Sequence, residues 1–164
     1  MDELFCELFG VDSDTAFNFF LSGLREVTGR KPNVEMFYVA SILAHYTQTS
    51  RHDTWSMPAL ANLSEVCNQF LLLETDDPEI LEIGGSQILL FAGFFRDRMC
   101  HRHNVRWYDE LGQSFYDRAS DRTPETKRQK LFEGMAASFP NWTLICRDLS
   151  RSCYENRYLL KSTK

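Results

Sequence analysis

Residues 75–95 read TDDPEILEIGGSQILLFAGFF, and no other stretch restricts the fold as much. Asp76 or Asp77 supplies a side-chain acceptor for the unpaired N–H groups of a helix start. Pro78 fits the first turn, where its missing donor costs nothing, and Glu79 and Glu82 suit the positive end of the helix dipole. Beyond Glu82 the stretch is apolar on nearly every face, so a helix built from it must sit at the centre of the molecule. Gly84, Gly85 and Gly93 each cost about 1 kcal/mol against alanine inside a helix. Close approach of a neighbouring helix is a reason to keep them. A break at Gly84–Gly85 and a short strand over 87–91 are competing readings of the same residues.

The remaining apolar spacing is also helical. Phe17, Phe20, Leu21 and Leu24 form a 3-4 stripe behind the cap candidates Ser13 and Asp14, and Gly29 closes it. Pro32 suits the first turn of a second helix carrying Val34, Phe37, Tyr38, Ile42 and Tyr46. After a polar connection over 48–56, Pro58 opens a third with Leu60, Leu63, Cys67, Phe70 and Leu71 on one stripe. Asn104 caps a helix bearing Trp107, Tyr108, Leu111, Phe115 and Ala119. Thr123-Pro124-Glu125 starts another with Leu131, Phe132, Met135 and Phe139. Pro140 then breaks or kinks the chain, and a last helix carries Trp142, Ile145, Leu149 and Cys153, with Leu159 and Leu160 near its end. The expectation is an all-α, single-domain bundle of about seven helices over 1–164, built around the central apolar, glycine-containing helix.

A chain of 164 residues that is 43% hydrophobic, with 13 phenylalanines, can bury a core of its own. No apolar run approaches the roughly 18 residues that cross a bilayer, and MDELFCELFG lacks the cationic start of a signal peptide. A soluble, cytoplasmic protein is expected. Five scattered cysteines (Cys6, Cys67, Cys100, Cys146 and Cys153), odd in number and without a CxxC pair, read as structural thiols.

Charge is divided unevenly along the chain. Residues 1–95 hold four basic and 14 acidic side chains, whereas residues 96–164 hold 14 basic and nine acidic. Either the two halves attract each other or a basic face meets an anionic partner.

The densest cationic run is FRDRMCHRHNVRWY, residues 95–108. Arg96 and Arg98 fall in the last turns of the central helix, and His101, Arg102 and His103 where it ends. Cations there meet the negative end of the dipole and the last unpaired carbonyls, which accounts for most of the cluster. It does not account for Arg106, which opens the next helix at the wrong end of its dipole. An anion bound at this junction would resolve that conflict, as would local neutralisation by Asp109 or Glu110. Arg98, His101, Arg102, His103 and Arg106 are therefore the candidate binding residues.

Other chemistries find weaker support. Cys100, His101 and His103 offer metal donors, with His45 or His52 to complete a set. Neighbours in sequence point different ways, however, and no second paired motif exists. No glutamate has a histidine three residues on, as bundle-core di-iron sites require. His52-Asp53 invites comparison with the all-α HD phosphohydrolases, but their histidines are separated more widely than His45 and His52, and a two-residue match in a polar connection carries no resemblance. IGGSQ lacks the spacing and lysine of a phosphate loop, and no G-x-S-x-G elbow occurs. Arg118, Arg122, Lys127, Arg128 and Lys130, interleaved with Trp107, Tyr108 and Tyr116, suit nucleic acid, against an overall pI of about 5.4.

These residues point to a non-enzymatic protein, a regulatory or accessory factor that binds another protein and needs no cofactor or metal. A helical nucleic-acid binder using the basic C-terminal half is the second reading. A metal-dependent HD-like phosphohydrolase built on His45, His52 and Asp53 is the third. Self-association is left open.

Overall fold

The computed structural model describes residues 12–49, 75–101 and 104–155. Helix accounts for 86% of these residues, far above the usual third, and none of them forms a strand. The elements are α1 (Ser13–Thr28), α2 (Val34–Thr49), α3 (Pro78–Leu89), a π-helical segment (Leu90–Phe94), α4 (Arg96–Met99), α5 (Val105–Arg122) and α6 (Thr126–Glu155). The expected helix over 58–71 lies outside the described residues, as do Leu159 and Leu160.

Short polar side chains cap three of the helix starts, whereas Asn104 precedes α5 without a side-chain capping bond. Asp12, one residue ahead of the expected Ser13 or Asp14, caps α1 by accepting the Thr15 N–H at 3.0 Å. Gly29 ends that helix in the left-handed region, φ 61°, and donates its N–H to the Arg25 carbonyl. Pro32 stands outside α2 instead of in its first turn; Asn33 caps that helix by accepting the Met36 N–H at 2.9 Å. Asp77 caps α3 through the Glu79 N–H at 2.9 Å, with Pro78 in the first turn as its fixed φ favours.

The central helix is continuous past Gly84–Gly85 and widens at Leu90–Phe94 into a π-helix, where the Phe95 N–H reaches back to the Leu90 carbonyl at 3.1 Å. All five π-helical residues are buried. Two glycines admit neighbours that a side chain would exclude. A Cβ at Gly85 would lie 2.7 Å from the Tyr116 ring, and one at Gly93 would lie 3.0 Å from Cys146 Cβ and 3.2 Å from Thr143 Cα. Close packing is what these two positions provide.

The break expected at Pro140 does not occur. Residues 126–155 form one 30-residue helix with Pro140 inside it. A proline in a helix interior costs about 3 kcal/mol, and a distant carboxylate spans the weak point. Glu35 Oε2, from the first turn of α2, accepts the Trp142 indole N–H at 2.8 Å beyond the proline and lies 3.0 Å from the Ser138 hydroxyl before it, whose single proton also has the Gly134 carbonyl at 2.6 Å. A hydrogen bond to a charged group contributes roughly 1.5–3 kcal/mol, which offsets much of that cost. Thr143 adds a bond from its hydroxyl to the Pro140 carbonyl.

α6 packs against every other described helix. Between α2, α3, α5 and the start of α6 runs a polar seam. The Tyr38 hydroxyl donates to Glu82 at 2.9 Å, and the hydroxyls of Ser86 and Tyr116 lie 3.1 Å apart, with Tyr38 and Tyr116 at 3.2 Å. Arg128 of α6 closes the seam by pairing with Glu82 and lying over the Phe132 ring. Burial pushes the Tyr38 and Tyr116 hydroxyls far above the ordinary phenol range, so both remain protonated in the folded protein.

Candidate functional site

The arginine run that opens the second half of the chain is divided by the fold. Arg96 turns inward. Its Nη1 donates to the Ala92 carbonyl at 3.0 Å, Asp109 Oδ1 at 3.1 Å and the Thr143 hydroxyl at 3.2 Å, while Nη2 donates to Asp109 Oδ2 at 3.1 Å. One guanidinium thus ties the end of the π turn to α5 and α6. Its side chain and that of Asp109 are only 18% and 11% exposed. Such a forked pair is geometrically specific, and it leaves Asp109 unavailable to neutralise Arg106. The acceptance of Arg96 by Ala92 is the carbonyl capping expected of a cation at a helix end.

Asp97, beside it, turns to α6, where Arg151 donates to both its oxygens at 2.7 and 2.8 Å. Those hydrogen bonds hold the Asp97 carboxyl below the usual range. Arg98 is half-buried and His101 exposed; Arg102 and His103 lie outside the described residues. The five candidate residues are therefore not shown converging on one point.

Arg106 points to solvent. Its side chain is 87% exposed, and its ion pair is with Glu110, itself 65% exposed, at 3.2 Å one turn along the helix. Trp107, expected in the core stripe of this helix, is instead 40% exposed and meets Tyr108 edge to face at 4.8 Å. The buried face of α5 runs through Val105, Tyr108, Leu111, Gly112, Phe115, Tyr116 and Ala119, so Trp107 falls to one side of it. Spacing carried that signal. Position 107 is four residues from Leu111, but the continuing 108-111-115-119 stripe leaves it off the apolar face.

The other candidate chemistries are dispersed. His45 is exposed on α2, while His52 and Asp53 lie outside the described residues. No three His, Cys, Asp or Glu side chains gather for a metal among the described residues. Burial pushes the Cys146 and Cys153 thiols up to about 12, so neither is a thiolate at neutral pH. Cys100 is exposed and donates its thiol to the Asp97 carbonyl. The basic residues of the C-terminal half are largely occupied within the molecule. Arg118 donates to the Thr75 carbonyl at 2.6 Å and stands 3.6 Å from Asp76, Arg122 pairs with Asp76 at 2.9 Å, and Arg128 pairs with Glu82. Lys127 and Lys130 are exposed. No helix among the described residues is long and apolar enough to cross a membrane.

No family model, no curated protein and no solved structure matches the chain.

Proposed function

We propose that the protein is a regulatory or accessory factor that acts by binding another protein, with the start of α5 as the contact surface and Arg106 and Trp107 at its centre. The supporting observation is the state of these two side chains. Most other arginines of the C-terminal half are drawn into pairs across the fold, whereas Arg106 stands in solvent at the helix end where a cation is mildly unfavourable, beside a partly bared indole. Arginine and tryptophan are enriched among the residues that dominate binding energy at protein interfaces. Its exposed pair with Glu110 is the only neutralisation shown for it among the described residues, and a cation so placed suits the carboxylates of an acidic partner.

Two substitutions test this reading. Capture from the host lysate, quantified by mass spectrometry, should show one protein retained by the wild type and lost from both Arg106→Gln and Trp107→Ala. Melting of Arg106→Gln should be unchanged within about 0.5 kcal/mol, because the exposed pair with Glu110 contributes little. A drop in melting temperature for Arg106→Gln, with capture intact, would assign the residue to the fold and end the proposal.

A further inference from the structure

The few basic residues of the acidic half are not spread along it. Of the four in residues 1–95, Arg25, Arg30 and Lys31 fall within seven positions at the α1–α2 turn. Among the described residues no carboxylate lies within ion-pair distance of any of the three. Arg96, Arg106, Arg118, Arg122, Arg128, Arg147 and Arg151 are all paired. The three are exposed and line one open hollow together with Ser22, Glu26 and Gly29, so cations outnumber acids there by three to one. Dipole capping explains Arg25, in the last turn of α1. It does not explain Arg30 and Lys31, which lie beyond that helix.

Arg30 and Lys31 also form the rim of a second, more enclosed cleft of about 90 Å³ between the turn and α6. That volume is about three waters' worth, far below a cofactor pocket. Its walls include Met36, Ile145, Asn141, the buried Trp142 and Glu35. The Glu35 carboxylate holds Trp142 and Ser138 through Oε2, while Oε1 lies over Gly134, where a Cβ would come within 2.6 Å of it. A negative charge inside the cleft would be repelled by Glu35, whereas one at the rim meets the cations of the turn. A cationic donor inside the cleft would meet the negative charge of Glu35 and the apolar side chains of Met36 and Ile145.

We propose that this turn binds a small phosphomonoester, with the phosphate held by Arg25, Arg30 and Lys31 and a short amine-bearing tail entering the cleft toward Glu35. Arginine forks and a lysine point charge are suited to a dianion, and a tail of two or three heavy atoms fills the space. The site is separate from the Arg106–Trp107 surface and stands whether or not that surface binds a protein.

The Trp142 indole N–H, bonded to Glu35 at the cleft wall, gives a direct readout in proton–nitrogen correlation spectra. It is assigned by elimination with Trp55→Phe and Trp107→Phe. Inorganic phosphate and phosphoethanolamine are titrated separately at constant ionic strength. The expected result is saturable movement of the Arg30 and Lys31 amides with both probes. Movement of the Trp142 signal and tighter binding are expected with phosphoethanolamine. Arg30→Gln combined with Lys31→Gln should weaken both by at least about tenfold, through loss of charge-assisted hydrogen bonds, while Arg106→Gln binds as the wild type. Absence of saturation, equal affinity for the two probes, or undiminished binding by the double variant each overturns the proposal.

Discussion

At the scale of single residues, carboxylates decide what the arginines do. Asp109 draws Arg96 inward and Glu110 leaves Arg106 in solvent, although the two acids are adjacent in sequence. Asp97 illustrates the pH consequence. Its carboxyl is held below the usual 3.8 by hydrogen bonds from Arg151 and by that residue's charge. A carboxylate depressed in the folded state adds stability that is fully present above the unfolded value and is lost as pH falls through the folded one. The Asp97–Arg151 pair is about half exposed, so its contribution is small and weakened by salt. Asp97→Asn should therefore lower the urea midpoint slightly at pH 7, and the two proteins should converge as pH drops below about 4. Urea melts across that range check it; a gap that widens on acidification contradicts the assignment.

Helices were legible where local chemistry forms them and obscure where distant residues do. Asp77-Pro78 signals the start of α3 from sequence alone, and Gly29 signals the end of α1. The π turn left no trace, because Leu90–Phe94 is buried throughout and an all-apolar stretch has no periodicity to betray an extra residue. Continuity through Pro140 was hidden for a different reason. The carboxylate that bridges it is more than 100 positions away, at Glu35. Of the candidate site, the cationic run could be read from residue types, but not its division into an inward Arg96 and an outward Arg106. Glycines offer the sharpest test at this scale. Gly112, inside α5, has the Phe139 ring where its Cβ would be, at 2.2 Å, and Gly85 has Tyr116 at 2.7 Å. Helix propensity alone would make Gly→Ala stabilising by about 1 kcal/mol. Overpacking costs about 1–3 kcal/mol, and both rings are buried, so Gly85→Ala and Gly112→Ala should each destabilise. Urea denaturation of both variants decides; stabilisation of either would mean that the facing ring moves freely.

Across the whole molecule, the uneven charge is spent largely on self-attraction. Acids at 76 and 82 meet arginines at 118, 122 and 128, which favours attraction between the two halves over a basic face turned to a partner. Those same arginines formed most of the basic set that suggested nucleic acid. A fluorescent single-stranded oligonucleotide should therefore show no saturable binding at about 0.15 M salt, since phosphate contacts would first have to break existing pairs. Tight binding with a steep salt dependence would show that these pairs open readily. The 30-residue helix that contacts every other described helix is also the last of them in chain order. Ribosomes add roughly 5–20 residues per second, so for some seconds after α5 is made its partner does not exist. Throughout that interval the buried π-helical segment Leu90–Phe94 is without the helix that covers most of it. A nascent chain stalled before residue 126 is therefore the form in which chaperones would meet this core uncovered.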